Sequence, residues 1–394
     1  MSTKLRRLRL VAALMAVLLL ASACVALPLE AGWTSLSLVG DPARIFLAYS
    51  DVIALINPSN GQAVQLLDAN GNVRLDSEGN PRVWSVELQT AATFYSAPVF
   101  PDPDTMLMAS YEQRVFQIGL SDARVLNGEG AELPGNVVSD PVLAGNRFIV
   151  GFNQNSVSAL DAENLDTLWS FETERGVWTQ PLLLDDTVLI PTMNHILHAV
   201  NVETGVERWS VDLGGAVAST PLHVGGDLFV GTLGRRLFRI DARNGDILAE
   251  YETQGWVWCT PALADGVLYL ADLDGYVYAL TIDSNGAFEE LWRRQVASSR
   301  GIRATPIVTE DTIIVGARDR VVYWLDRSTG APIADGQDGQ RAVAGEILAD
   351  MLLLEPSESL NIDEPVVLVS TNSREELLIA FTVDTGRREW TFRR

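Results

Sequence analysis

The sequence predicts an all-β protein, a β-propeller of about eight four-stranded blades. The first observation is a repeat, since a proline opens a unit every 40 residues along the middle of the chain, at Pro141, Pro181, Pro221 and Pro261. A period of this length is typical of stacked or circular repeat architectures. The second observation is that each unit holds four short apolar runs, rich in β-branched and aromatic residues and separated by Gly, Asn and Asp. Such runs are β-strands joined by tight turns, and four strands in about forty residues make one propeller blade.

The number of blades follows from the third strand of each repeat. Its copies centre on eight positions, which are Leu55, Ile118, Leu160, Val200, Ile240, Leu280, Leu325 and Phe381. Seven blades remain possible if the first or last copy is not a true blade. A solenoid is the alternative architecture, but no unit has the apolar spacing of three and four that a helix needs. A closed ring removes the sheet edges, so we expect one propeller domain over residues 33–394.

The first and last repeats depart most from the pattern. The first carries two copies of Leu-Asp-x-x-Gly-Asn within an insertion at 65–82. Asp68 and the alternate residues after it have the spacing that opens a calcium loop, but the required glycine and closing acid are missing, so β-hairpins with Asn-Gly turns are favoured. In the last repeat Glu346 stands at the proline position, and residues 355–365 form an acidic insertion.

Residues 1–23 have the composition of an export signal, with four basic residues followed by an unbroken apolar run at 10–20. That run is too short to span a bilayer comfortably. The small residues before Cys24 resemble the lipobox of bacterial lipoproteins, in which the cysteine is lipidated and becomes the mature N-terminus. Residues 24–32 would then form a short tether. The alternative is an ordinary cleaved signal with an incidental cysteine, because Ala21 stands where the box usually has leucine.

Composition limits the partners of the mature chain. The sequence has 29 basic and 51 acidic side chains, and four of the basic ones lie in the export signal, which leaves a net charge near −26. Such acidity opposes binding to nucleic acid and to anionic lipid headgroups. If Cys24 is lipidated, Cys259 has no partner for an intrachain disulfide, and the fold must depend on its apolar core. We expect a monomer.

One repeat carries a resemblance to a known family. Residues 199–209 read Ala-Val-Asn-Val-Glu-Thr-Gly-Val-Glu-Arg-Trp, and Asp384 to Trp390 follow the same pattern. These stretches resemble the propeller repeat of pyrroloquinoline-quinone (PQQ) proteins, Ala-Leu-Asp-x-x-x-Gly-x-x-x-Trp. The family includes quinone dehydrogenases and non-catalytic lipoproteins. Together with Cys24, the repeats look most like the BamB-type lipoproteins that assist outer-membrane barrel assembly.

The repeated tryptophan has a structural interpretation. One large ring per blade would fill the wedge between neighbouring blades, and its indole N–H can donate to a backbone carbonyl. The candidates are Trp84, Trp169, Trp209, Trp292 and Trp390, while Ala249 and Ile333 show that some blades lack the ring. Stacking of these rings on a cofactor is the disfavoured alternative.

The sequence offers no constellation for catalysis. Quinone dehydrogenases of this family commonly carry adjacent cysteines, a calcium site and an Asp base, and the chain has no Cys-Cys pair. The three histidines are His195, His198 and His223. Without a placed carboxylate or nucleophile they are better explained as surface or turn residues than as a metal or catalytic pair. We therefore expect no enzymatic activity, no metal and no cofactor.

The segment before each repeat proline varies while the rest of the repeat is constant, and it leads into the innermost strand. It should therefore surround one mouth of the central channel. Aromatic and Arg residues in this segment are typical of a binding hot spot. We assign a partner-binding role to Trp178, Trp256, Trp258, Arg303 and Tyr95. The alternative is that they plug the channel or pack between blades.

These observations predict an exported, lipid-anchored, non-catalytic propeller in the cell envelope. It would bind other envelope proteins or peptides as a scaffold or assembly factor, with Cys24 holding it to a membrane. A PQQ-dependent oxidoreductase is the alternative from another functional class. A module that senses a cell-wall or sugar fragment is a further alternative.

Overall fold

The computed structural model describes residues 34–40, 42–50, 52–68, 70–86, 88, 91–298, 300–333 and 338–393. They fall within one compact unit, Trp33–Arg394. The expected export signal, Cys24 and the tether at 24–32 lie outside the described residues. The described part of the chain contains no helix of the length and apolarity needed to cross a bilayer.

The strands form eight antiparallel sheets, one for each predicted third strand, and this confirms the eight-bladed propeller over seven blades. From inner to outer strand, blades 1 to 4 consist of Ser35–Val39, Arg44–Tyr49 and Val52–Ile56; Val99–Asp102, Thr105–Ser110, Arg114–Gly119 and Ala131–Glu132; Val142–Ala144, Arg147–Gly151, Ser156–Asp161 and Thr167–Glu172; Leu182–Leu184, Thr187–Pro191, Ile196–Asn201 and Glu207–Asp212. Blades 5 to 8 consist of Leu222–Val224, Asp227–Thr232, Arg236–Asp241 and Ile247–Glu252; Ala262–Ala264, Val267–Ala271, Tyr276–Ile282 and Phe288–Gln295; Ile307–Val308, Thr312–Gly316, Val321–Asp326 and Gln340–Ala342; Leu352–Leu354, Val366–Ser370, Leu378–Thr382 and Arg388–Phe392. A short 3-10 turn, Arg374–Glu376, precedes the third strand of blade 8.

Burial explains why the second and third strands give the strongest sequence signal. The second strand of blade 4, Thr187–Pro191, is buried at every position because neighbouring blades cover both of its faces. A strand covered on both faces has a continuous apolar run. The outer strand Glu207–Asp212 instead alternates between half-buried and exposed residues, as expected for a strand with one solvated face.

Blades 1 and 8 differ from the sequence expectation in detail. The outer position of blade 1 is a single bridge between Ala54 and Ser85 rather than a regular strand. The expectation that Glu346 replaces the repeat proline was wrong. The inner strand of blade 8 begins at Leu352, so Met351 takes that position. The physical reason is a longer connection before the outer strand of blade 7, which shifts the repeat phase by five residues.

The turns of each blade lie on two faces of the ring. The first-to-second and third-to-fourth turns share one face, where for example Val202 N–H donates to the Asp186 carbonyl at 2.9 Å. Each connection from one blade to the next lies on the other face, between the second-to-third turns of two blades. Thus Val177 N–H donates to Phe152 O at 2.9 Å, and Met193 N–H donates to Gly176 O at 3.1 Å. We call this side the connection face.

The tryptophans predicted to lie between blades do so, and most donate to a carbonyl of the next blade. The indole N–H donations are Trp84 to Leu120 O at 2.6 Å, Trp169 to Val202 O at 2.9 Å, Trp292 to Arg327 O at 3.2 Å and Trp390 to Pro58 O at 3.0 Å. Trp209 makes no such bond within the described residues, but its ring covers Gly245. In four blades of the Trp set an alanine pairs across the sheet with the large ring, as in Ala159 opposite Trp169.

The glycine of the repeat has a steric explanation at these junctions. Gly205 lies in a turn with φ +71°, and a Cβ on it would come within 2.9 Å of the Trp169 ring. Gly245, Gly330 and Gly61 stand in the same relation to Trp209, Trp292 and Trp390. Any larger residue there would both strain the turn and displace the ring of the preceding blade.

Blades without the outer-strand tryptophan use a different donor from the third strand. In blade 5 the cross-strand pair is reversed, with Arg239 opposite Ala249. The Arg239 guanidinium donates to Gly286 O of blade 6 at 2.9 Å and to Asp227 of its own blade at 2.7 Å. In blade 7, which has Ile333, the Trp324 indole donates to Val383 O of blade 8 at 2.8 Å. In blade 2 the Gln117 amide donates to Glu163 O of blade 3 at 2.9 Å.

The insertion of blade 1 forms the predicted hairpins. Asp68 Oδ1 accepts the N–H groups of Asn70 at 2.8 Å and Asn72 at 2.9 Å, and Asp76 caps the second hairpin in the same way. These backbone hydrogen bonds lower the pKa of both aspartates, because they stabilise the carboxylate. The aspartates therefore have a turn-forming role.

The ring closes where blade 8 meets blade 1, through side chains rather than a shared sheet. Thr34 Oγ1 is hydrogen-bonded to Ser370 Oγ, and Tyr49 OH donates to Asn372 O at 3.1 Å. Buried residues of both blades form one apolar cluster, including Ile45 and Leu368. Each blade is built from one uninterrupted stretch of the chain.

Candidate functional site

All eight blades contribute to a cavity of about 390 Å³ at the central channel. In seven blades, the residue three positions before the repeat proline lines this cavity, with Met351 taken as the proline position in blade 8. These residues are Tyr95, Val138, Trp178, Ala218, Trp258, Arg303 and Leu348. Four of the five predicted partner-binding residues therefore occupy equivalent positions around one cavity, although up to 208 positions separate them in the sequence.

Two tryptophans and an arginine form the aromatic part of the cavity. The Trp178 and Trp258 ring centroids are 6.5 Å apart with the planes tilted by 51°. The Arg303 guanidinium carbon lies 4.2 Å from the Trp258 ring centroid, which is the geometry of a cation–π contact. Trp178 is 36% exposed, and its indole N–H donates to Asn153 Oδ1 at 2.7 Å. The ring is held in place by a side chain of the adjacent turn while its face remains accessible.

Trp256 and Tyr95 have different surroundings. Trp256 is 54% exposed on the connection face but is not among the residues that line the cavity. It stands two residues earlier than Trp258 on the path toward the channel, which is about 7 Å of extended chain. Tyr95 lines the cavity and packs edge-on against Tyr111 with a centroid distance of 5.9 Å. The structure thus groups Trp258, rather than Trp256, with Trp178 and Arg303.

The residues that directly precede the repeat prolines form a hydrogen-bonded collar around the channel. Asp140 accepts Ala97 N–H at 2.6 Å, and Asp350 accepts Thr305 N–H at 2.6 Å. Between them, side chains donate to a carbonyl of the preceding blade: Gln180 to Pro141 O, Thr220 to Gln180 O and Thr260 to Thr220 O, each at 3.0 Å. The collar joins successive blades at the axis and places two carboxylates in the channel wall.

The channel environment changes the ionisation of these groups. Burial raises the pKa of Asp140 to about 6, with a smaller contribution from the neighbouring charge of Asp350. Burial also raises the pKa of Asp350, which Arg303 partly opposes. For Arg303, desolvation and the nearby Arg318 lower the pKa to about 10. The Arg303 side chain therefore stays cationic near neutral pH, whereas the Asp140 carboxyl titrates at about 6.

The residue two before the repeat proline, or before Met351, also lines the cavity in five blades, and one of these residues differs from its equivalents. Ser139 Oγ donates to Gly151 O at 3.3 Å and Cys259 Sγ to Ala271 O at 3.3 Å, each within its own blade. Ser219 is 3% exposed, and its hydroxyl has no partner among the described residues. Burial raises the pKa of Cys259 to about 12, so its thiol remains protonated and unreactive near neutral pH.

His195 and His198 lie away from the cavity, in blade 4. His198 Nδ1 lies 2.7 Å from Glu207 Oε1 in blade 4, and His195 adopts a positive φ of 78° in a turn. Neither lines the cavity. No group of three or more His, Cys, Asp or Glu side chains suited to a metal ion occurs in the described ranges.

Sequence reasoning identified the aromatic part of the cavity but missed Asp140 and Asp350. The available signal was the position directly before each repeat proline, where two acids stand among hydroxyl and amide side chains. For Asp350 that signal was hidden by the phase shift in blade 7.

The family model described as "Outer membrane protein assembly factor BamB" matches residues 69–216, 174–258 and 193–394. Among solved structures, BamB from Moraxella catarrhalis is similar at 17% identity and a TM-score of 0.65, over 88% of this chain and 92% of that chain. The computationally designed protein Ika8 is similar at 16% identity and a TM-score of 0.62, over 88% of this chain and 95% of that chain. No curated protein matches the chain in sequence.

The structural likenesses, at these identities, concern the fold alone. The family match spans residues 69–394, which is most of the sequence. Eight PQQ-like repeats, their junction tryptophans and this match agree: the chain belongs to the PQQ-like propeller family of outer membrane protein assembly factor BamB.

Proposed function

We propose that this chain is an exported, lipid-anchored scaffold or assembly factor that binds envelope proteins or peptides at the channel mouth on the connection face. The observation that carries the proposal is the cluster of the exposed Trp178 with the half-buried Trp258 and Arg303, at a cavity to which every blade contributes. The family's description as an assembly factor supports a role in binding proteins. Binding without catalysis is the role that this arrangement favours.

The residue types at the mouth are those that supply binding free energy. Trp and Arg are enriched in hot spots, and a ring whose position is fixed loses little conformational entropy on binding. Asn153 fixes Trp178, and Arg303 stacks on Trp258. Trp256 extends the same face outward with its large exposed area, so a partner covering the mouth would also cover this ring.

The binding experiment compares two kinds of exposed apolar residue. Tagged protein is cross-linked in envelopes, and the captured proteins are identified for wild type, Trp178→Ala, Trp256→Ala and Leu248→Ala. Leu248 is a matched control because it is 45% exposed on the outer strand of blade 5. We expect the mouth variants to lose a defined set of partners, with an affinity loss of roughly a hundredfold for a hot spot.

Two outcomes would contradict the proposal. One is an unchanged partner set in both mouth variants. The other is equal loss in Leu248→Ala, which would place the contact on the outer strands. The insertions at 65–82 and 355–365 would then be the next surfaces to test, and both lie on the face opposite the connection face. Turnover of alcohols or sugars on addition of PQQ and calcium would instead favour the oxidoreductase alternative.

The anchor part of the proposal rests on the N-terminal sequence. If Cys24 is lipidated, Cys24→Ala should move the protein from the membrane fraction to the soluble or unprocessed pool. Labelling with a clickable fatty acid, followed by membrane fractionation, tests this directly. A wild-type protein that takes up no label and is washed from membranes by high salt would exclude the anchor.

A further inference from the structure

We propose that the channel mouth binds a positively charged side chain of its partner, a guanidinium or ammonium group placed between Trp178 and the carboxylates of Asp140 and Asp350. This inference rests on the proposed binding function and names the chemistry of the segment that is recognised. The partner would be a peptide segment that presents Arg or Lys to the cavity.

The charge of the cavity favours a cation. Its wall holds two carboxylates against one guanidinium, that of Arg303. The other titratable groups that line it are Tyr95 and Cys259, and burial raises the pKa of both, so they stay neutral near pH 7. The surplus is therefore one negative charge, within a chain whose formal net charge is −22. A narrow cleft lined by charges of one sign focuses the electric field and so raises the local concentration of oppositely charged ligands.

The aromatic rings add a second attraction for the same group. Arg303 lies over Trp258 at 4.2 Å, which shows that this part of the wall accommodates a guanidinium on a ring face. Trp178 lies 6.5 Å from Trp258 and is the more exposed of the two rings. A ligand cation stacked on Trp178 would gain a cation–π contact that improves as water is excluded.

Acceptors for the donor groups of the cation are present in the same wall. Asp140 uses Oδ1 for Ala97 N–H, and its other oxygen accepts no hydrogen bond from the described residues. Asp350 lines the cavity and accepts one backbone N–H, from Thr305. A carboxylate oxygen that faces a cavity is a strong acceptor for a charged N–H.

The unpaired hydroxyl of Ser219 is an independent sign of a missing partner. It is buried in the cavity wall without a hydrogen bond, whereas Ser139 at the equivalent position of blade 3 donates to a carbonyl. Buried polar groups are nearly always paired in folded proteins.

An anionic ligand does not fit this wall. A carboxylated quinone or a phosphate would meet the carboxylates of Asp140 and Asp350 and would compete with them for the single guanidinium of Arg303. A neutral sugar would satisfy the hydroxyls but would leave the surplus charge unpaired. The cation is the one class that pairs with the carboxylates and with the Trp178 ring.

Titration measurements use the full-length protein in detergent and four tripeptides of the form acetyl-Gly-X-Gly-amide. X is Arg, Lys, Glu, or citrulline, which has the shape of Arg without its charge. We expect the Arg and Lys peptides to bind at least tenfold more tightly than the citrulline peptide, and the Glu peptide to bind least. Methylguanidinium is added as a competitor. If it binds as tightly as the Arg peptide, the site recognises a small cation instead of a peptide.

Two variants test the carboxylates. Asp140→Asn and Asp350→Asn keep the side-chain oxygen that accepts the backbone N–H. Each substitution should lower the affinity for the Arg peptide about tenfold. Asp104→Asn, an exposed carboxylate on the opposite face, is the matched control and should leave binding unchanged. Melting curves of each variant separate lost binding from lost folding.

The pH dependence gives a second readout. The charged groups that line the site are Asp140, Asp350 and Arg303, and the charge of Arg318, which is paired with Glu346, acts on Arg303. The pKa of Asp140 is about 6, so binding of the Arg peptide should weaken as pH falls through about 6 and this carboxylate is protonated. Binding of the citrulline peptide should change little over the same range.

Equal affinity for the Arg and citrulline peptides, or preference for Glu, would overturn the proposal, as would unchanged affinity in both Asp variants. Failure here is distinguishable from failure of the proposed function. If Trp178→Ala still loses its envelope partners, the mouth binds proteins but does not select a cation. If the Arg peptide binds while no partner depends on Trp178, the cavity is a cation site without the scaffold role.

Discussion

The tryptophans between blades and those at the channel mouth are the same residue in two opposite situations. Trp169 is 8% exposed, covers a glycine turn and donates its indole N–H to the Val202 carbonyl of the next blade. Trp178 is 36% exposed, faces a cavity and donates to Asn153. The Trp169 indole N–H is hydrogen-bonded and its ring is buried by the fold, while the Trp178 ring keeps one face accessible.

The comparison shows that position in the repeat separates the rings that are buried between blades from those we propose for binding. Junction rings belong to the outer strand and fill the wedge that widens away from the axis. Mouth rings belong to the connection between blades and meet at the axis. A substitution at each place should therefore move a different measured quantity, and three predictions test that separation in order of expected effect.

The largest effect is expected for Trp169→Ala. Loss of a buried ring leaves a cavity and removes the bond to Val202 O, so the free energy of unfolding should fall by about 3–5 kcal/mol. Trp178→Ala should change it by less than about 1 kcal/mol, since the ring is partly solvated. Urea denaturation followed by fluorescence of the remaining tryptophans measures both. Equal losses in the two variants would mean that the mouth rings also belong to the core.

A medium effect is expected where blade 5 replaces the ring by Arg239. Arg239→Ala removes its bonds to Gly286 O and Asp227 and should cost about 2–3 kcal/mol, because Asp227 is left partly buried without its partner. Adding Ala249→Trp recreates the Ala–Trp pair of regular blades, and Gly286 has the positive φ that the ring requires below it. The double variant should recover part of the loss in a double-mutant cycle. No recovery would show that the two junction types are not interchangeable.

The smallest effect concerns Asp140 and depends on pH. Its folded pKa of about 6 lies above the unfolded value, so the native state binds the proton more tightly and wild type loses stability as pH rises from about 4 through 6. Asp140→Asn should therefore stabilise the protein by about 1–2 kcal/mol at pH 7.5 and by little at pH 4. Thermal unfolding at the two pH values, with Asp104→Asn as control, measures this. A gain that is equal at both pH values would exclude the buried charge as its cause.

The sequence was informative wherever one blade repeats the next. The spacing of Pro141, Pro181, Pro221 and Pro261 predicted the blades, because each strand pattern recurs under the same packing constraint. The third strands predicted eight blades, since strands that are covered on both faces are mostly apolar and leave a strong pattern in the sequence. Trp169 and its equivalents were recognised as junction residues for the same reason.

The sequence did not reveal features that depend on which residues come together in space. Trp324 and Arg239 lie on third strands, and each makes the hydrogen bond to the next blade that an outer-strand tryptophan makes elsewhere. Only the cross-strand register shows this replacement. Asp140 and Asp350 meet at the axis because the ring curves back on itself, which no local pattern encodes. Trp256 was grouped with the cavity residues because the sequence does not show how far along its segment the channel begins.

The junction of blades 8 and 1 has a consequence for how the chain acquires its structure. The hydrogen bond from Trp390 to Pro58 spans 332 residues, and the apolar side of blade 1 that contains Ile45 is covered only by blade 8. Each blade forms from local contacts, but this last junction needs both ends of the chain, and contacts of such sequence separation form slowly. We expect ring closure to be the final step of folding. Until then, blade 1 presents an uncovered apolar face, and an unfinished chain is most vulnerable to aggregation there.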